Sequence, residues 1–418
     1  MKQLLLFISI ALSTTFIHGQ TTKKVLFLGN SYTAANDLPL MASEMANNTG
    51  DILIYDSYTP GGYRFLNHAS DLVSLDMIDS DNWDYVVLQG QSQETAFSQQ
   101  QLESQVYPYA ASLSDAIKEN NGCSQPLFYM TWGREEGDSI NCPYAPWMCT
   151  YEGMDDAIKD AYLFMAESNN AELAPAGAVW RYIRENHPSI DLYSNDGSHP
   201  SLAGSYAVAT TFYTMIYKKD PTLISWDSNL TADEASLIRN VTKTIVYDVI
   251  STWDFTESPI ADFTENIQHQ VVSFTNESSG FDNLLWDFGD SNTSTENNPI
   301  HTYEERGIYT VSLTTTKCGK TDTKTKTLDI TILSTEDFSL ESIKIYPNPS
   351  SQNLNLNLGK TYKEITISIS DLLGKTVLRA SETNADALML DVSSLAKGTY
   401  ILKLQADGDN YVKKMVKR

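Results

Sequence analysis

The sequence predicts an α/β domain built on a parallel sheet, followed by two all-β modules, and two observations carry that expectation. From Lys23 to about Trp253, short β-branched or aliphatic runs alternate with longer amphipathic stretches, the pattern of strand-helix-strand units. After Trp253 helical periodicity fades, Ser, Thr and Asn become frequent, and apolar residues alternate with polar ones at period two. A chain of 418 residues also exceeds the usual size of one domain, so several folding units are required.

In the first region the expected strands are Lys24–Leu28, Ile52–Tyr58, Tyr85–Gln89 and Leu127–Thr131. The expected helices include Pro39–Asn47, Glu103–Glu119, Met154–Ser168 and Ala203–Tyr217. Polar stretches at Thr256–Pro259 and Ser334–Asp337 read as linkers. The resulting division is residues 20–255 for the α/β domain, 261–332 for the first β module and 340–418 for the second.

Lys2, an apolar run from Leu4 to Leu12, and the small Gly19 before Gln20 form the three parts of a secretory signal, so residues 1–19 are expected to be removed. No later stretch reaches about eighteen consecutive apolar residues, and no integral membrane segment is expected in the mature chain. Secretion permits disulfides, but four cysteines are too sparse for a disulfide scaffold and lack the close pairs of a zinc site. Cys142 and Cys149 are spaced to staple one loop. A net charge of -24 disfavours phosphate backbones, so nucleic acid is an unsuitable partner.

Two short segments bear chemistry. Val25–Leu28 runs into Gly29-Asn30-Ser31-Tyr32-Thr33, which puts a serine on a tight turn at the carboxyl end of a parallel strand, the edge where open α/β sheets gather their sites. Near the end of the same region, Asp196-Gly197-Ser198-His199-Pro200 sets an acid three residues before a histidine. The acid can fix the imidazole tautomer and leave the other ring nitrogen to take a serine proton, help that a hydroxyl needs near neutrality. His68, His187 and His199 compete within the domain, and His199 alone has an acid so placed.

Gly29-Asn30-Ser31-Tyr32-Thr33 resembles the first block of the SGNH (GDSL-like) hydrolases, with Asn30 where the commoner version carries Asp. Asp196-x-x-His199 is similar to their last block. Gly61-Gly62-Tyr63-Arg64-Phe65-Leu66-Asn67-His68 resembles the second, whose glycine, here Gly62, offers a backbone N–H to an oxyanion; His68, in the matching family position, is expected at the surface, with lining of the site as the alternative. Trp83 to Ser92 resembles the third, which supplies a side-chain amide. That block normally presents Gly-x-Asn. Gln89-Gly90-Gln91-Ser92-Gln93 is closer to the Gln-Gly-Glu-Ser of carbohydrate acetylesterases in the same superfamily, and leaves Gln89 and Gln91 as alternative donors.

The resemblance implies a flavodoxin-like three-layer α/β/α hydrolase domain and cofactor-independent ester hydrolysis. Ser31 would be the nucleophile, His199 the base, Asp196 its orienter, and the oxyanion hole would draw on Ser31, Gly62 and a glutamine. An acetylated glycan is the favoured substrate; a lipase-like esterase and a non-catalytic glycan-binding protein on a hydrolase fold are the alternatives. Further on, Trp286-Asp287-Phe288-Gly289-Asp290, Pro299 to Tyr303 and Gly307 to Val311 resemble a PKD domain, with Trp286, Phe288 and Tyr309 as sandwich core. Ile345 to Pro349, Asp371 to Lys375, Gly398-Thr399-Tyr400 and the basic end Lys413–Arg418 resemble the carboxy-terminal sorting domain of type IX secretion. That likeness implies a Bacteroidetes-type envelope, export through the outer membrane, and the secretion machinery as partner.

Overall fold

A computed structural model describes residues 20–331 and 343–418, apart from Gly408. The signal segment and the second linker lie outside the described residues. Five strands form one all-parallel sheet: β1 (Thr22–Leu28), β2 (Ile52–Tyr58), β3 (Tyr85–Leu88), β4 (Gln125–Tyr129) and β5 (Glu172–Ala174), in the order β2-β1-β3-β4-β5. In β1, Val25 and Phe27 enter one hydrophobic layer while Leu26 and Leu28 enter the other, because successive strand side chains point to opposite faces. Both faces are covered, which is why the strands are nearly continuous apolar runs.

Ten helices accompany the sheet: α1 (Ser31–Ala34), α2 (Leu38–Asn48), α3 (Phe65–Ser70), α4 (Leu72–Asp79), α5 (Gln99–Gln105), α6 (Tyr107–Asn120), α7 (Tyr151–Ser168), α8 (Ala176–Asn186), α9 (Leu202–Tyr217) and α10 (Ala232–Ile245). Residues of α2, α8, α9 and α10 pack on one face of the sheet, and those of α3 to α7 on the other. The three-layer expectation therefore holds. The single helix expected over Glu103–Glu119 is instead α5 and α6, which meet at Val106 (φ -124°) just before Pro108. Proline has no N–H to continue a helical ladder, so the second helix starts afresh with proline in its first turn.

The two β modules have separate cores. Strands β6 (Phe263–Gln268), β7 (Val271–Asn276) and β10 (Ile300–Thr302) form one antiparallel sheet. Strands β8 (Asn283–Asp287), β9 (Thr293–Ser294), β11 (Ile308–Lys317) and β12 (Lys320–Asp329) form the other. Trp286 and Phe288 are buried between them and Tyr309 packs at the edge of that core, as expected of framework residues. In the last module β13 (Lys344–Tyr346), β14 (Asn353–Ser370), β15 (Thr376–Asp391), β16 (Gly398–Ala406) and β17 (Asp409–Lys417) make a sheet around the long β14. Its alternate residues Leu354, Leu356, Leu358, Ile365, Ile367 and Ile369 point inward.

Cys142 and Cys149 are joined, and a second disulfide links Cys123 to Cys318, 195 residues away. This second bond fastens the first β module to the α/β domain. Cys123 precedes β4, so the joint lies at the N-terminal edge of the parallel sheet, opposite the edge where Ser31 follows β1. Lys320 reinforces it by pairing with Asp254 at 2.9 Å and with the Thr256 hydroxyl, so the segment from Asp254 to Pro259 is held at its start. Serine in place of both Cys123 and Cys318 is expected to expose this segment to limited proteolysis and to lower Tm by several degrees, since a cross-link closing so long a loop restricts the unfolded chain by about 5 kcal/mol. An unchanged cleavage pattern would show that the Lys320 contacts with Asp254 and Thr256 hold the joint without the disulfide.

Candidate active site

Gly29 ends β1 where there is no room for a side chain: a Cβ there would lie 2.3 Å from Thr33 Oγ1 and 2.8 Å from Gln89 Oε1. Asn30 follows with a buried side chain that ties three loops together. Its Oδ1 accepts from Tyr32 N–H at 3.1 Å, while Nδ2 donates to the Tyr63 carbonyl at 2.9 Å and the Gly90 carbonyl at 3.3 Å. An ionised Asp could not make the last two bonds and would face two carbonyl oxygens, which gives a physical reason for asparagine here. Ser31 is the first residue of α1, where a backbone N–H has no carbonyl one turn earlier in the helix to bond.

The loop from Tyr193 to Pro200 brings His199 to Ser31. Asp196 shapes it locally: Oδ1 accepts from the N–H of Ser198 at 3.0 Å and of His199 at 2.9 Å, and Gly197 takes φ +63°, a conformation that favours glycine. The other carboxylate oxygen lies 2.5 Å from His199 Nδ1, and His199 Nε2 lies 2.8 Å from Ser31 Oγ. A nitrogen facing a carboxylate must carry the proton, so Nδ1 is the N–H and Nε2 is left to accept from the serine hydroxyl. Burial acts to raise the Asp196 pKa, but the hydrogen bonds from the His199 ring and from the His199 and Ser198 amides outweigh it, and the carboxyl sits below its ordinary range. It therefore keeps its charge as the medium becomes mildly acidic.

A column of aromatic rings supports this loop. Tyr32 stacks on Trp132 with centroids 5.1 Å apart, and Trp132 stacks on Trp180 at 3.5 Å. Trp132 Nε1 donates to the Ser198 carbonyl at 3.2 Å, the Tyr32 hydroxyl meets Ser198 Oγ at 2.7 Å, and the Tyr32 ring lies edge-on to His199. None of these aromatic residues was among the expected site residues. Tyr32 lies in α1 beside Ser31, but Trp132 after β4 and Trp180 in α8 are far from it in sequence, and no local spacing marks them.

Gly62 lies in a turn in which Tyr63 N–H reaches the Pro60 carbonyl at 3.2 Å; its φ of +75° rather than crowding is what calls for glycine, since a Cβ there would meet nothing within 4 Å. Gln89 is buried, and its Oε1 accepts from Asn30 N–H and from Thr33 Oγ1, both at 2.9 Å, while its amide reaches the Gly90 carbonyl. Gln91 is half-buried; its amide donates to Ser92 Oγ at 3.2 Å and to Gln93 Oε1 at 2.7 Å. Glu94, fully buried, accepts from Gln91 N–H at 2.8 Å and Phe65 N–H at 3.1 Å and pairs with Arg64 at 2.8 Å. Burial pushes its carboxyl up against those three partners. Glu94 thus joins the second and third segments, a role with no sequence signal beyond its place after the glutamines.

His68 corrects an expectation. Rather than lying at the surface it is buried, with Nε2 2.9 Å from the Gly29 carbonyl and Nδ1 2.8 Å from Ser74 Oγ. Facing a carbonyl, Nε2 must be the donor, and burial lowers the ring's pKa despite the Gly29 carbonyl and Asp71, so it stays neutral. His187 caps the end of α8.

Residues 256–332 match the PKD domain family and residues 344–418 match the secretion system C-terminal sorting domain family. Collagenase ColQ1 of Bacillus cereus strain Q1 is 31% identical over 147 residues, which are 35% of this chain and 15% of the collagenase. The chain spans 11% to 15% of the length of the curated relatives it matches. Among solved structures, a protein of Slackia heliotrinireducens provisionally described as an SGNH hydrolase is 26% identical, covering 46% of this chain and 97% of its own, with a TM-score of 0.39. A DUF4886 family protein from Bacteroides uniformis is 16% identical, covering 56% and 97%, with a TM-score of 0.46. Among the described residues no helix is long and apolar enough to cross a membrane. Behind its α/β domain the chain carries a PKD domain and a type IX C-terminal sorting domain, which directs it to the cell surface or the medium.

Proposed function

We propose that the α/β domain is a serine ester hydrolase of the SGNH type acting on acyl, chiefly acetyl, esters of a glycan. The observation that carries this reading is the chain of contacts from Ser31 Oγ through His199 to Asp196, at 2.8 and 2.5 Å. As Ser31 Oγ bonds to the ester carbonyl carbon, its proton passes to His199 Nε2, and Asp196 steadies the imidazolium. Collapse of the tetrahedral adduct breaks the bond to the alcohol, which leaves with the proton from His199. Water then attacks the acyl-enzyme, giving its proton to His199; the acid departs and Ser31 regains its hydrogen.

The negative oxygen of each adduct is assigned to the N–H groups of Ser31 and Gly62 and to the amide of Gln91. Gln89 holds the nucleophile turn through its carbonyl, whereas the Gln91 amide serves an oxyanion by releasing Ser92 Oγ or Gln93 Oε1. Gln91→Ala is expected to lower kcat about a hundredfold with little change in Tm, the usual scale for one oxyanion donor. Gln89→Ala should lower Tm as well, and a mild effect of Gln91→Ala on kcat would move the donor elsewhere.

The glycan assignment rests on export, the PKD domain and the glutamine-rich third segment. Turnover of p-nitrophenyl acetate against a long-chain p-nitrophenyl ester tests it. Preference for acetate supports the reading, preference for the long chain replaces it with a lipase-like enzyme, and absence of both activities indicates a binding protein on a hydrolase fold.

A further inference from the structure

An open groove of about 600 Å³ lies on the outer face of the α/β domain, within the size range of ligand sites. One side follows α7, where Gly153, Asp156, Ala157, Asp160, Ala161 and Phe164 share a face at spacings of three and four. This strip runs about 16 Å along the helix. The small residues make the floor shallow, and the Asp160 carboxylate stands along it beside Asp156, which pairs with Arg181 at 2.7 Å. Aromatic rings form the walls. Phe164 is 47% exposed and packs against Tyr107 with centroids 4.3 Å apart, while Trp147, 39% exposed, and Phe97 complete the aromatic lining.

The position of Trp147 is built rather than incidental. Its indole N–H is spent on the Ala96 carbonyl at 2.8 Å, so the ring offers only its apolar surface. The loop bearing it is closed by Cys142–Cys149, and Asp138 pins its start by accepting from Ile140 N–H at 3.0 Å, Asn141 Nδ2 at 2.7 Å and Gln93 Nε2 at 2.6 Å. A Cβ on Gly153 would lie 2.2 Å from the Trp147 carbonyl, so the loop seats directly on α7. Phe97 and Trp147 belong to loops leaving the ends of β3 and β4, the same sheet edge from which Ser31 projects.

We propose that this groove binds an uncharged glycan strand and so holds a polymeric substrate against the domain. The inference deepens the glycan-ester reading and rests on it. A sugar ring has an apolar C–H face suited to aromatic surfaces and a rim of hydroxyls suited to carboxylate acceptors. An acyl chain is a poor occupant, since it would strip water from the Asp160 carboxylate without giving it a partner. Asp160 repels uronate or sulfated chains, a charge relation that favours a neutral strand, while Asp156, paired with Arg181 at 2.7 Å, adds little to it.

The test is calorimetric titration of full-length Ser31→Ala protein with cellohexaose, xylohexaose, mannohexaose and polygalacturonate. At least one neutral hexasaccharide is expected to bind, with polygalacturonate at least about tenfold weaker. Phe164→Ala in the same background should weaken the neutral ligand about tenfold or more, the loss of one stacking ring. Trp147→Phe, which keeps an aromatic surface, should weaken it less. Absence of binding by every neutral hexasaccharide, equal binding of polygalacturonate, or indifference to Phe164→Ala in a protein of unchanged Tm would overturn the proposal. Because the readout is binding by protein lacking the nucleophile, its failure leaves the esterase reading standing, and an inactive parent enzyme leaves the groove to be judged on its own.

Discussion

Ser31→Ala is expected to reduce ester turnover by about four orders of magnitude or more, His199→Ala to do the same, and the double variant to be scarcely worse than either. In the proposed mechanism the two are ends of one proton transfer: once Ser31 Oγ is gone His199 Nε2 has nothing to activate, and once the imidazole is gone the hydroxyl keeps its proton. Folding should survive Ser31→Ala, since Ser31 Oγ bonds to His199 alone among the contacts of the turn, which is held by Asn30, Gln89 and His68 instead. Measured Tm within a degree or two of the parent and kcat/KM near background would fit. Losses that multiply in the double variant would mean that serine and histidine act in separate steps.

The same turn explains how much of the site could be read without coordinates. Ser31, Asp196 and His199 lie in two short segments that the structure brings into contact, and Asp196 bonds to the backbone and ring of the residue three positions on. Local contacts of that sort leave a local signature. His68 left none, because its partners are the Gly29 carbonyl and Ser74, and only the packing of α3 against the end of β1 brings the first of them within 2.9 Å. Trp132 and Trp180 were hidden for the same reason: they come from the end of β4 and from α8, and they join Tyr32 of the serine segment only in the folded domain.

In the fold, four of the five strands of the parallel sheet were legible and the shortest was not. The strand expected at Ile52–Tyr58 is β2, residue for residue, whereas β5 has three residues and no room for a period to show. The break between α5 and α6 depended on reading Pro108 as a helix start rather than tolerating it inside one apolar stripe. The Cys123–Cys318 bond crosses two modules, and only their docking could reveal it.

Removal of Leu340–Arg418 is expected to leave hydrolysis near parental while trapping the protein inside the outer membrane. The cores of the α/β and PKD domains include no residue beyond Ile330, and the sorting domain has its own core from Ile343 to Met415, so among the described residues the cut passes between separately packed units. Cell fractionation should find the truncated enzyme in the periplasm and the parent at the surface or in the medium. A rival account would let the basic end Lys413–Arg418 act as a loose polybasic patch on anionic lipid. The strand pairing speaks against it: β17 is bonded along β16 from Gly398–Lys417 to Ala406–Asp409, Met415 is buried, and Lys417 donates inward to the Ser351 carbonyl at 2.7 Å. Charge reversal at the exposed Lys414 separates the two accounts, since a lipid patch would lose membrane association in a salt-dependent way while export continued. Truncated enzyme recovered outside the cell at the parental level would remove export from the functions of this domain.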